Sequence, residues 1–143
     1  MLIRDCSQGR SILARLDSGA EIMGQITDLA KDMEIEAAVI SAIGALARAD
    51  LGYYDHVAHE YLVTPVDEPV ELAACSGNIS LFEGKPFVHA HAVLANGRGR
   101  SWAGHLVRGT IFAAEVYLQE LSGLPLKRSP DSITGLKLWG EER

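Results

Sequence analysis

Pro86-Phe87-Val88-His89-Ala90-His91-Ala92-Val93-Leu94-Ala95-Asn96-Gly97-Arg98-Gly99-Arg100-Ser101-Trp102-Ala103-Gly104-His105-Leu106-Val107-Arg108-Gly109 is the stretch on which the reading of this chain turns. It has the pattern of a β-hairpin. Phe87 to Ala95 is apolar with β-branched residues, and Trp102 to Val107 is a second apolar run. Asn96-Gly97-Arg98-Gly99 lies between them and supplies residues that tolerate positive φ. His89 and His91 are two apart, so on a strand both imidazoles point to one face. If the loop is Gly97 to Gly99, Asn96 pairs with Arg100 and His91 falls directly opposite His105. Residues directly opposite share a face, with Cβ atoms about 4.5–5.5 Å apart. A loop one residue shorter would turn His105 to the other face.

His89, His91 and His105 therefore form the candidate metal site. Imidazole is the commonest metal ligand near neutral pH, and three of them suit Zn²⁺ or another borderline divalent ion. A three-histidine set leaves a fourth coordination position open, as in catalytic zinc centres. The competing reading makes them hydrogen-bonded core or interface histidines. Water on a metal there would need a general base for hydrolysis. Glu115 and Glu83 are the acidic residues close in sequence, and nothing in the sequence brings either to the site, so no residue is assigned a catalytic role. His56 and His59 fall in a polar turn and are expected to be solvated.

Upstream of the hairpin, Ser11 to Arg15 reads as a short strand broken by Asp17-Ser18-Gly19. A helix is predicted from about Ala20 to Met33, with Ser18 as its cap and Glu21 completing a capping box. Ile22, Ile26, Leu29 and Met33 make its apolar stripe. Glu36 to Ile43 is continuously apolar, as a strand buried on both faces would be. Gly44 interrupts it before Ala45 to Tyr54 resumes as a strand. Tyr61 to Thr64 is a short strand stopped by Pro65. Pro69 to Leu81 contains a long strand in which Gly77 marks a bulge or the close approach of another backbone. Phe82 to Lys85 turns tightly into the hairpin. Thr110 to Leu121 mixes helix and strand formers, and the preceding hairpin favours strand. Gly123–Arg128 and Ile133–Trp139 read as terminal strands around a polar loop, Ser129 to Ser132. The expected fold is α+β, a mainly antiparallel twisted sheet of about seven strands with one principal helix packed on it, in one domain over residues 1–143.

Composition narrows the function. The 143 residues are 48% hydrophobic and 22% charged, an ordinary globular balance, with a net charge of −6. That balance argues against direct nucleic-acid binding, which draws its affinity from Lys and Arg on phosphates. Gly97-Arg98-Gly99-Arg100 resembles the core of a minor-groove AT-hook, but Ser101 stands where the hook has Pro, and the segment is needed as a turn. Arg108, Lys127 and Arg128 are scattered rather than striped. Cys6 and Cys75 make no disulfide framework, and Cys75 reads as a small core residue. Tyr53, Tyr54 and Trp102 read as core or subunit-interface aromatics. Ser41, Ser76 and Ser80 lack a nucleophile-elbow context, and no nucleotide-binding glycine pattern occurs. Met1 to Cys6 is too short and charged for a signal peptide, so a cytoplasmic protein is expected.

Taken in order, Ile43-Gly44-Ala45-Leu46, Leu51-Gly52-Tyr53-Tyr54, Ser76-Gly77-Asn78-Ile79-Ser80, Pro86-Phe87-Val88-His89-Ala90-His91, Gly104-His105-Leu106 and Gly109-Thr110 resemble the PPC (plant and prokaryote conserved) domain from end to end. The histidine pair followed by Gly-His-Leu is the most specific part. The resemblance implies a mainly antiparallel sheet with a packed helix, a homotrimer, and in some members a metal at the histidine cluster. It is to the single-domain prokaryotic type; plant members carry AT-hooks beside the domain. Ala103 departs from the family by standing where a first glycine of Gly-Gly-His-Leu is usual. Two functions follow as expectations. One is a metal-binding homotrimer, with Zn²⁺ on His89, His91 and His105, that binds or acts on a small molecule. The alternative is a DNA-associated regulatory module working through protein partners.

Overall fold

The computed structural model describes residues 1–123 and 126–140. Its elements are β1 (Ser7–Leu16), α1 (Ile22–Asp32), β2 (Ala38–Asp55), β3 (Glu60–Val66), β4 (Val70–Phe82), β5 (Lys85–Ala95), β6 (Ser101–Ser122), β7 (Lys127–Pro130) and β8 (Lys137–Trp139). The hydrogen-bonded path runs β3-β2-β6-β5-β4-β7-β8, with β1 on β6. A further pairing joins β2 to β4, so β2, β6, β5 and β4 form a closed ring. Pairings are antiparallel except β4 with β7. Two long strands make the closure feasible. β2 bonds β4 along its first half and β3 along its second, while β6 bonds it throughout.

Alternation within each strand fills the ring. Ala38, Ile40 and Ala42 of β2, Val88, Ala90, Ala92 and Leu94 of β5, and Ala114, Val116 and Leu118 of β6 are all buried in one core. Helix α1 adds Ile22, Ile26 and Ala30, four apart and fully buried, while Leu29 and Met33 pack at the margin of that core. The helix starts later than the sequence predicts, and Ser18 does not cap it. Gly19 N donates to Ile111 O at 2.7 Å and Ile111 N to Ala20 O at 2.9 Å, so residues 19–21 are held on β6. Glu21 is the cap instead, its carboxylate accepting from Met23 N at 3.0 Å and Gly24 N at 2.7 Å. The same carboxylate accepts from Gly109 N, which ties the helix start to the sheet.

Four further expectations are corrected. The segment predicted to be buried on both faces alternates: Val39 and Ile43 are exposed while Ile40 and Ala42 are buried. Gly44 shifts the register with φ +149° but does not end the strand. Pro65 does not stop β3. It pairs with Asp50 on an edge strand, where a missing N–H costs no ladder bond. The terminal strands are shorter than expected. Ser129 and Pro130 lie within β7, and residues 124–125 of the predicted Gly123–Arg128 strand lie outside the described residues. The ambiguous Thr110–Leu121 segment is strand, pinned by β2 on one side and β1 on the other. Among the described residues no helix is long and apolar enough to cross a membrane.

Gly77 is the place where another backbone approaches closely. It pairs with Ala90, and a Cβ built on it would fall on the carbonyl oxygen of His89. Replacing Gly77 with Ala is expected to destabilise the fold by about 1–3 kcal/mol, as overpacking does, because the obstacle is backbone. Chemical denaturation checks this; an unchanged midpoint would show that β4 and β5 can part at no cost.

Candidate metal centre

The β5–β6 turn fixes the site. Asn96 N donates to Arg100 O, and Gly99 N to Asn96 O, each at 3.0 Å. The Asn96 side-chain oxygen accepts from Arg98 N and Arg100 N, both at 3.0 Å. Gly99 takes φ +79°, a left-handed conformation that suits glycine. This three-residue loop pairs Ala95 with Ser101 and His91 with His105. On the other side β4 sets Asn78 opposite His89 and Ser76 opposite His91.

The three imidazoles meet on the outer face of the sheet, away from α1 and the core. Ring centroids are 5.3 Å apart for His89 and His91, 5.2 Å for His89 and His105, and 5.5 Å for His91 and His105. One ligand atom from each lies within 4.8 Å of the other two. His105 Nδ1 is buried and has no hydrogen-bond partner among the described residues. A buried nitrogen without a partner is costly, and a metal ion that takes its lone pair is one partner that would satisfy it. Burial, then Arg128 and the neighbouring histidines, pushes the His89 pKa down to about 4. Burial and His91 push His105 down as well. Neutral imidazoles with free lone pairs are what a metal ion needs.

A cleft of about 450 Å³ opens beside the cluster, lined by His89 and His105 together with Tyr54, Tyr61, Arg128 and Lys137. The Tyr61 ring lies 5.1 Å from His105, and the Tyr54 ring 5.0 Å from Tyr61. Tyr54 Oη donates to Thr134 O at 2.5 Å, which ties β2 to the β7–β8 turn. Burial pushes the Tyr61 phenol up, with Tyr54 adding to the effect. Arg128 donates to Ser80 Oγ at 2.7 Å, Asn78 Oδ1 at 2.9 Å and Lys137 O at 2.7 Å. Its guanidinium lies over Phe87 and Trp139, and burial lowers its pKa.

His89, His91 and His105 thus come together. His56 is exposed, and His59 sits on the cleft wall without joining the cluster. Neither Glu83 nor Glu115 reaches the site. Glu83 is exposed in the β4–β5 turn, and Glu115 is exposed opposite Arg15 and Ile43. The acid on the cleft wall is Glu60. Cys75 is a core residue whose thiol burial pushes up to about 11. Of the aromatics read as core or interface, Trp102 packs at the core margin, Tyr53 is exposed and Tyr54 lines the cleft. Sequence reasoning missed Tyr61, Glu60, Arg128 and Lys137. No local pattern marks the two cations, because the parallel pairing of β7 with β4 places Arg128 and the β7–β8 pairing places Lys137.

These features define an α+β domain with a mainly antiparallel closed sheet and a histidine triad on its outer face. The chain belongs to the Plants and Prokaryotes Conserved (PCC) domain family, whose model matches residues 3–122. It is similar to a metal-containing protein of Archaeoglobus fulgidus, with a TM-score of 0.95 and 40% identity over 99% of this chain and 100% of that one. A plant- and prokaryote-conserved protein of Pyrococcus horikoshii superposes with a TM-score of 0.93 at 41% identity, over 100% and 99% of the two chains. A Ralstonia eutropha structure, described provisionally as a DNA-binding protein, has a TM-score of 0.80 at 27% identity over 91% and 90%. The bifunctional protein GlmU of a Synechococcus strain is 32% identical over 85% of this chain, which spans only 18% of that protein's length.

The cluster has a pH signature. Folded His89 stays neutral down to about pH 4, whereas an unfolded histidine protonates near 6.5. Between those values the unfolded chain binds more protons, so stability falls as pH falls. Metal-free protein is expected to hold a level denaturant midpoint above pH 6.5 and lose it progressively from 6.5 towards 4. The loss should be shallower in His89→Gln. A midpoint that rises on acidification would contradict a neutral His89.

Proposed function

We propose that this protein holds a divalent metal, zinc, on His89, His91 and His105, works as a homotrimer, and binds or acts on a small molecule at the open coordination position. The observation that carries the metal is the unpartnered, buried His105 Nδ1 beside two further imidazoles within 4.8 Å. The metal-containing character of the Archaeoglobus relative supports it. Bound there, the ion would supply Lewis acidity and one position for a water or an anion. The chain's own residues do the rest. Tyr54 and Tyr61 wall the cleft, and Arg128 keeps positive charge beside His89. Exposed Leu13, Val39, Ile43 and Phe112 support the homotrimer, because an apolar outer surface of this kind favours association.

Elemental analysis of purified protein is expected to give one zinc per chain. Each of His89→Ala, His91→Ala and His105→Ala should weaken metal affinity by more than the ~10–100-fold that loss of an outer-shell partner costs. Stoichiometric zinc in all three variants would refute the assignment. Sedimentation should give the mass of three chains.

The second reading, a DNA-associated module acting through protein partners, draws on the provisional description of the Ralstonia structure. The net charge of −6 and the closed turn at Gly97–Arg100 count against direct contact. Titration against random duplex DNA is expected to show no complex even at low salt; a complex that weakens steeply as salt rises would favour this reading instead.

A further inference from the structure

The cleft beside the histidines has a second wall that the metal does not account for. Hairpin β7–β8 supplies it, and this hairpin follows the segment 3–122 that the family model matches. Two cations from the hairpin line the cleft, Arg128 and Lys137. Neither is paired with a carboxylate among the described residues. The Lys137 ammonium instead sits 4.1 Å from the Phe82 ring centre and 5.4 Å from that of Phe87. Arg128 is held rigidly, yet three bonds use only three of the five N–H groups a guanidinium offers. One of those bonds goes to Ser80, a fully buried polar residue. Partly burying the Arg128 guanidinium without a carboxylate is costly, and Lys137, exposed on β8, adds a second unneutralised charge to the same cleft.

The remaining lining has a different character. Tyr54, Tyr61, Phe87, Leu136 and Leu138 present aromatic and aliphatic surface. Glu60 is the one acid on the wall among the described residues, and it is exposed at the start of β3. At about 450 Å³ the cleft falls within the range of small-molecule sites. Cations at one side and apolar walls at the other match a ligand of complementary make-up.

We propose that hairpin β7–β8 makes this cleft a binding site for a small organic anion, a carboxylate or phosphate carried on an aromatic or apolar body, with Arg128 and Lys137 receiving the charge. The proposal deepens the metal reading, which would add a ligand position for the same anion, but its cations stand independently of it. They are specificity-determining residues: the histidines set where a ligand sits, and the hairpin sets the sign of its charge.

Calorimetric titration of the full chain, zinc-loaded and metal-free, with phenyl phosphate, benzoate and the neutral control phenol tests the idea. At least one anion is expected to bind about tenfold or more tightly than phenol, and the better anion identifies the charged group. Lys137→Met should weaken that anion several-fold with zinc content and circular dichroism unchanged, because the ammonium donates no hydrogen bond among the described residues. Arg128→Lys should weaken it further, since a point charge cannot replace the fork. Anion binding that depends on both residues in protein unable to hold zinc would leave this proposal standing and remove the metal reading. Zinc-loaded protein that binds phenol as well as either anion, or whose Lys137→Met variant keeps full anion affinity, would overturn it.

Discussion

One amide side chain sets the chemistry of this protein. The Asn96 oxygen accepts two backbone N–H groups across a three-residue loop, and that loop length decides which residues of β5 and β6 face each other. A side-chain period of two makes the choice binary. With this loop His105 joins His89 and His91; with one residue fewer it would turn into the core among Ala92 and Leu94. The interaction is local and modest in energy, but the face on which an imidazole appears depends on it.

What the turn decides, the ring of long strands keeps in place. Strand β6 carries His105 near its start and then bonds β2 and β1 as far as Ser122, so the hairpin cannot slide without breaking ladders along the whole sheet. On the opposite flank β4 presses against β5, with Gly77 allowing the contact behind His89. Rigid support of this kind holds three imidazoles together.

Legibility in the sequence followed the range of the interactions. Asn96 to Gly99 and the alternation of Phe87 to Leu94 act over a few residues, so the hairpin, its register and the histidine patch could be read directly. Helix α1 was legible through Ile22 and Ile26, but its first turn was not, because the bonds from Gly19 and Ala20 to Ile111 join segments about ninety residues apart. Burial of Val39 and Ile43 was misjudged because an apolar run states preference, not which face the sheet covers. Arg128 was passed over as scattered charge, and Lys137 was not singled out. The parallel β4–β7 and antiparallel β7–β8 pairings late in the chain gather them, and no spacing rule reports either.

The pairing of β1 has a consequence for how the chain is made. Among the described residues strand β1 bonds β6 alone, from Leu16 opposite Ala114 out to Ser7 opposite Ser122. A growing chain must therefore carry β1 past the ribosome and wait for about a hundred further residues before that strand finds a partner. Closure of the ring is likewise deferred to late synthesis, so maturation is governed by long-range search more than by local propensity. Until then Ile12 and Leu16 are bare hydrocarbon on a nascent polypeptide, the kind of segment that chaperones hold.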